Sequence, residues 1–344
     1  FDLFVNGGLM WINPQIYREY DIRGVVDKDL TPDIVRQLGK GFGTHVAGLG
    51  KKSLVVGRDG RLSSKAFSEA LIEGLVSTGC DVVNIGVCPT PVYYFSIFHL
   101  SKDGGAMVTG SHNPPEFNGF KVSVGKSTIF GEEIQNLGRL VQKGDFVTGR
   151  GNLSETGVIR PYQDYIKKNI RFEKKLKVVI DAGNGTGGVV AGPLLRDLGC
   201  ELEELYCEID GRFPNHFPDP TVPDNLKYLI DRVLKTRADV GIGYDGDADR
   251  IGVVDEKGNI IWGDQLMILF AREILRNQKG ATFVAEVKCS QNLFTDIEKH
   301  GGKAIMWRTG HSLIKEKMKE EKAVLGGEMS GHIFFADRYF GYDD

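Results

Sequence analysis

Three stretches built to one plan most constrain what this chain can fold into. LVVGRDGR (residues 54–61), KVVIDAGNG (177–185) and ATFVAEVK (281–288) each read as an apolar strand ending in charged or glycine residues, and a helical stretch follows each. Then Gly79-Cys80-Asp81-Val82-Val83, Gly199-Cys200-Glu201-Leu202 and Gly301-Gly302-Lys303-Ala304-Ile305 each place a glycine helix stop before a second strand. A β-α-β order repeated three times predicts three related α/β domains. Their boundaries are expected near residues 155 and 258, inside the polar stretches GRGNLSETG and DEKGN. The expected domains are 10–155, carrying a serine loop, 156–258, carrying a metal loop, and 259–344, incomplete. The first nine residues, FDLFVNGGL, lack a basic region and precede Met10, so they read as a leader or a remnant of expression.

After each unit one more strand runs into a polar, glycine-bearing loop: AMVTGSHNP, VGIGYDGDADR and AVLGGEMSGH. Three homologous loops can each bring a different function to one cleft. In VTGSHNPPEFNGFK the pair Pro114-Pro115 fixes two φ angles and pushes Asn113 towards an extended backbone, so Ser111 sits on a stiff loop. The preceding Gly104–Val108 stretch reads as a short buried strand, which places Ser111 just past a strand's C-terminal end, where α/β proteins gather ligands. Alone, the loop fits a turn serine equally well. Its neighbour His112 is a poor base for it, and no G-x-S-x-G elbow is present.

The second loop carries the sharpest chemistry. Asp245, Asp247 and Asp249 recur at every second position with small residues between, which lets three oxygens reach one hard cation. An EF-hand is the rival reading, with Glu256 at its twelfth position. Arg250 stands where that loop needs glycine, however, and strand-like IGVVDEKGNII follows where it needs a helix. A divalent ion, most simply Mg²⁺, is the expected occupant. The third loop offers Glu328, Ser330 and His332, a set suited to recognising hydroxyls, and Arg308-Thr309-Gly310-His311 follows the strand AIMW. Each of these two, alone, also fits an ordinary polar turn.

Composition narrows the partners. A formal charge of −3 argues against nucleic acid, and no apolar run approaches the roughly 18 residues of a membrane span. Five cysteines without a C-x-x-C suit buried, reduced thiols and a cytoplasmic setting.

Taken together, the motifs resemble those of the α-D-phosphohexomutase family, and TGSHNPP with GEMSGH is most similar to its bacterial phosphomannomutase/phosphoglucomutase branch. The resemblance runs from Tyr20-Asp21-Ile22-Arg23-Gly24 to Gly341-Tyr342-Asp343-Asp344, in the family's order. It implies three α/β/α domains with mixed sheets, and a phosphohexomutase that interconverts hexose 1-phosphate and hexose 6-phosphate, of mannose or glucose, through a phosphoserine and a 1,6-bisphosphate. Ser111 is then the phosphorylated residue and, with Asp245, Asp247 and Asp249, a ligand of Mg²⁺. Lys121, expected to return to the site across a turn at Gly119, Arg23 and His332 become candidates for proton handling and oxyanion neutralisation. Glu328 and Ser330 would hold the sugar's 3- and 4-hydroxyls, with Tyr20, Arg250, Lys288, Thr309, Gly310 and His311 completing the substrate site. Glucose or mannose 1,6-bisphosphate is the implied activator, and a monomer or weak homodimer the implied state. Family members carry a fourth, C-terminal domain that binds the non-transferring phosphate; a polypeptide ending at Asp344 is expected to bind Mg²⁺ but to turn over far more slowly. Phosphoglucosamine mutase, which typically has glutamine where Met329 stands, and a non-catalytic phosphosugar- or metal-binding protein are the alternatives.

Overall fold

Each of the three repeated apolar stretches forms an interior strand of a sheet of its own. The computed structural model describes residues 12–337 and the backbone of Tyr342–Asp343, so the expected leader, residues 1–9, and the motif's last residues, Gly341 and Asp344, lie outside the described residues. The first sheet contains β1 (Ile22–Val25), β2 (Ser53–Arg58), β3 (Asp81–Val87), β4 (Gly104–Val108), β5 (Phe117–Val124), β6 (Ser127–Thr128) and β7 (Leu153–Glu155). The second contains β8 (Lys177–Asp181), β9 (Glu201–Leu205), β10 (Val240–Tyr244), β11 (Ile251–Asp255) and β12 (Ile260–Ile261). The third contains β13 (Thr282–Glu286), β14 (Lys303–Trp307), β15 (Leu325–Gly327), β16 (Ile333–Phe335) and β17 (Tyr342–Asp343).

The strand orders expose the repeat. Within the sheets lie β3-β2-β4-β5, β9-β8-β10-β11 and β14-β13-β15-β16, the same order three times. In each set the first three strands run parallel and the fourth returns antiparallel. These are the expected mixed sheets. The parallel connections need crossovers. Helices Ser64–Val76, Gly188–Asp197 and Gln291–Lys299 supply the first of each domain, and Thr90–His99, Lys227–Thr236 and His311–Glu321 the second. Gly79, Gly199 and Gly301 have φ of +90°, +88° and +84°, the left-handed conformation that ends a helix without a Cβ penalty.

Burial explains why these stretches are strands. All five residues of β4 are buried, so it reads as a continuous apolar run, whereas β10 and β11 alternate. Leu54, Val56, Ala106, Val108 and Phe120 of the first sheet share a core with Val35, Leu38, Phe42, Leu71 and Leu75 of its helices. Each fully buried Leu or Phe there contributes about 2 kcal/mol.

The chain packs as two units: Phe1–Val87 with Ser96–Val158, and Cys88–Phe95 with Ile159–Asp344. Within the second unit Phe95 packs edge-on against Tyr162, with ring centroids 5.3 Å apart. Among the described residues no helix is long and apolar enough to cross a membrane. Cys80, Cys200, Cys207 and Cys289 are free thiols, and burial pushes Cys207 and Cys289 up to about 11 and about 12.

Candidate functional site

The three polar loops leave the C-terminal ends of β4, β10 and β15, the edge where α/β sheets bind ligands. In the first unit Ser111 is buried and has φ +52°, a left-handed conformation that costs a non-glycine residue on the order of 1–2 kcal/mol. Its surroundings fix it there. The Ser111 N–H donates to Thr109 Oγ1 at 2.8 Å, and Ser111 Oγ lies 3.1 Å from His112 Nδ1. Below the loop the buried Arg61 guanidinium donates to four of its carbonyls: those of Ser111 (2.8 Å), Asn113 (2.5 Å), Pro114 (2.6 Å) and Phe117 (3.0 Å). Arg61 Nε stands 3.2 Å from Asp59 Oδ2, which also accepts the Gly110 N–H at 3.1 Å. Asp59 Oδ1 takes the Arg61 N–H and the Ser64 hydroxyl. One charged fork thus sets the whole turn through charge-assisted hydrogen bonds. Arg23, on β1, donates to Asn113 Oδ1 at 2.7 Å and pairs with Asp21. Tyr20 is half-buried just before β1, and Lys121 is buried on β5 opposite Met107.

Arg61→Lys tests the clamp. A lysine keeps the charge but cannot span four carbonyls, so the protein should lose roughly 3 kcal/mol of stability in urea unfolding, the cost of breaking a buried charged network. Amide exchange should rise over residues 111–117. An unchanged midpoint and unchanged protection would contradict the clamp.

In the second unit the acidic loop closes the hairpin of β10 and β11. Asp245 Oδ1 accepts the N–H groups of Asp249 (3.0 Å) and Arg250 (3.2 Å), curling the chain on itself. Ala248 takes φ +54° within that curl. Thr90 anchors the tip, its hydroxyl donating to Asp247 Oδ2 at 2.6 Å and its N–H to the Asp247 carbonyl at 2.8 Å. All three carboxylates are buried, and one oxygen from each lies within 4.8 Å of the others. Like charges at that separation repel by about 3 kcal/mol per pair at an effective dielectric near 20. Three hard anionic oxygens converging so closely fit a divalent cation. A strand, β11, follows the loop, as the argument against an EF-hand requires.

The third loop meets the second through His332. His332 Nε2 lies 3.1 Å from Asp249 Oδ1 and 3.4 Å from Arg250 Nε, and its Nδ1 lies 2.6 Å from Glu328 Oε2. Burial pushes the Glu328 carboxyl up. The hydrogen bond and charge of His332, the Gly310 N–H and Arg250 outweigh it, leaving Glu328 lowered overall. Burial lowers Arg250, and Asp245 and Asp249 more than restore it, so it stays charged. Glu328 Oε1 accepts the Gly310 N–H at 2.7 Å, which ties the Thr309-Gly310-His311 turn to this loop; the His311 and His332 rings are 5.6 Å apart. Ser330 Oγ lies 3.4 Å from Glu328 Oε2. Gly331 has φ +88°, and a Cβ there would meet the Ile251 carbonyl at 2.2 Å, so only glycine lets the two loops touch. Lys288 is exposed, its Nζ 3.4 Å from Glu286 Oε2.

Arg23 and Ser111 are thus joined through Asn113 in the first unit. Arg250, His332, Glu328, Ser330, Gly310 and the three aspartates are joined in the second. One expectation needs correcting: Gly119 is not a turn that returns Lys121. It lies inside β5, paired with Arg23, where a Cβ would meet the Ile22 carbonyl at 2.3 Å; close strand approach, not a reversal, requires glycine. Asp59, Arg61, Thr90 and Glu286 were missed by the sequence reading. The available signal was LVVGRDGR for Asp59 and Arg61 and ATFVAEVK for Glu286, each carrying charged residues straight off the end of an apolar strand.

The fold and domain order have counterparts among known proteins. The chain matches models of phosphoglucomutase/phosphomannomutase α/β/α domain I over residues 14–148, domain II over 160–258 and domain III over 262–344. It is 47% identical over 329 residues to phosphomannomutase/phosphoglucomutase of Pseudomonas aeruginosa, covering 96% of this chain and 71% of that protein. It is 44% identical over 335 residues to phosphoglucomutase of Neisseria gonorrhoeae, covering 97% and 73%. A crystal structure of a phosphoglucomutase/phosphomannomutase family protein from Burkholderia thailandensis superposes with a TM-score of 0.95 at 45% identity, covering 97% of this chain and 75% of that one. With three domain models matched in order and such identity over nearly its whole length, the chain belongs to the phosphoglucomutase/phosphomannomutase family of α-D-phosphohexomutases.

Proposed function

We propose that the protein is a phosphohexomutase that moves a phosphoryl group between the 1- and 6-positions of glucose or mannose phosphates. The observation that carries this reading is the Ser111 loop: a buried serine in a left-handed conformation, with four surrounding carbonyls gripped by one guanidinium. So stiff a mount suits a hydroxyl that must present a phosphoryl group in line with an acceptor. In the forward step the sugar hydroxyl attacks phosphoserine 111 and passes its proton to a base, a P–O bond to the sugar forms, and the P–O bond to Ser111 Oγ breaks, that oxygen taking up a proton as it leaves. The product is a hexose 1,6-bisphosphate, which serves as activator. After turning end for end it returns its other phosphate to Ser111.

Asp245, Asp247 and Asp249 would hold Mg²⁺, which supplies neutralisation of charge on the transferring group. Arg23, Lys121 and His332 are the proton-handling and oxyanion-stabilising candidates. His332, between the Glu328 and Asp249 carboxylates, is oriented on both ring nitrogens, which supports it as the proton carrier. Glu328 and Ser330 would take the 3- and 4-hydroxyls, with Arg250, Lys288, Thr309, Gly310 and His311 as further sugar-site candidates of the second unit and Tyr20 as a substrate-binding candidate of the first. Glucose and mannose differ only at the 2-position, so a grip on positions 3 and 4 admits both. The test is a coupled assay of glucose 6-phosphate formed from glucose 1-phosphate, with Mg²⁺ and glucose 1,6-bisphosphate present. Steady turnover with both glucose and mannose phosphates is expected, and none with either would refute the reading.

A further inference from the structure

Glu286 ends β13 fully buried, and the mechanism above gives it no role. Its Oε1 accepts the Met329 N–H at 2.7 Å, and its Oε2 faces Lys288 Nζ at 3.4 Å. The register of β13 on β15 pairs Ala285 with Gly327, so Glu286 stands beside Glu328 and takes the N–H of the residue after it. The first sheet repeats the relation. Arg58 pairs with Val108, so Asp59 stands beside Thr109, and its Oδ2 takes the N–H of the next residue, Gly110. In both domains a buried acid at the end of the first repeated strand reaches across the third and holds the loop beyond it. One holds the residue before Ser111; the other holds the residue between Glu328 and Ser330. Asp181, at the corresponding end of β8, is also buried but bonds the Gly183 N–H and His216 instead. A buried carboxylate is costly unless hydrogen-bonded, so its recurrence at one register position with a loop N–H as partner marks a device for setting loops.

We propose that Glu286 is the positioning residue of the sugar-recognition loop. It fixes Met329, and with it the flanking Glu328 and Ser330, while steadying Lys288, so three substrate-facing groups take their places from one carboxylate. The inference rests on the sugar-site reading of those three residues. Its test uses two variants of the full-length protein. Glu286→Gln keeps an acceptor for Met329 and removes the charge facing Lys288; Glu286→Ala removes both. Expected KM values for glucose 1-phosphate rise roughly tenfold for alanine and about threefold for glutamine, with kcat changing less. The discriminating readout is 4-deoxyglucose 1-phosphate. The wild-type penalty for the missing hydroxyl should shrink several-fold in the variants, because a loosened loop no longer grips it; a purely structural role would leave that penalty unchanged. Thermal midpoints identify any variant that fails to fold, and the glutamine variant decides alone if alanine does not fold. Folded variants with KM within twofold of wild type and an undiminished penalty overturn the proposal. Absence of wild-type turnover would instead overturn the proposed function, and this inference with it.

Discussion

Ser111→Ala should reduce hexose phosphate turnover by on the order of 10⁴-fold or more, because under the proposed function it removes the atom that would carry the phosphoryl group rather than a contact that assists transfer. The fold should survive. What holds the loop is backbone: the Ser111, Asn113, Pro114 and Phe117 carbonyls on Arg61, and the Ser111 N–H on Thr109, all of which an alanine retains. Alanine also meets the same left-handed backbone as serine, so that strain is unchanged. Thermal unfolding should therefore match the wild type while the coupled assay falls to background. More than about a hundredth of wild-type turnover, with bisphosphate present, would mean that another nucleophile carries the reaction.

The second large effect concerns the acidic loop, and its sign depends on the metal. Chelation should abolish activity and Mg²⁺ should restore it. Asp247→Asn should raise the Mg²⁺ concentration needed for half-restoration by roughly 10- to 100-fold, since one of three anionic ligands becomes neutral. The amide can still accept from the Thr90 hydroxyl, so the loop keeps its anchor. In chelator the same substitution should stabilise the protein, because it removes one of three mutually repelling buried charges. With excess Mg²⁺ the order should reverse, since the wild type gains more from binding. Thermal midpoints of both proteins with and without Mg²⁺ check this. A wild type that is the more stable in chelator, or fully active there, would contradict a metal role for the triad.

How much of this was legible in the sequence follows from distance along the chain. The β-α-β repeat, its glycine stops and the three loops are local patterns, and Gly79, Gly199 and Gly301 take the left-handed backbone expected of them. Asp245, Asp247 and Asp249 are legible because alternate positions of one loop suffice to bring their oxygens together. Arg61 lies 50 residues before Ser111, and Glu286 lies 43 before Met329; neither has a local signal that separates it from a solvated charge at a strand end. Only the pairing of β2 with β4, and of β13 with β15, puts these side chains under their loops. The reading of Gly119 as a turn failed for a related reason. Glycine serves close strand contact as well as chain reversal, and the pairing of β5 with β1 decides between them.

The most direct measurement of the central claim is the exchange of the Ser111 phosphate with a sugar phosphate. The protein is phosphorylated with radiolabelled glucose 1,6-bisphosphate and Mg²⁺, freed of small molecules, and divided, one portion receiving excess unlabelled glucose 6-phosphate; peptide mass spectrometry of the protein and label counting of protein and sugars then follow. The account predicts one phosphate per chain on Ser111 in both portions, with the label kept on the protein in the untreated portion and passed to glucose phosphates in the treated one. A phosphate on another residue, or label on Ser111 that the sugar phosphate cannot displace, would contradict it.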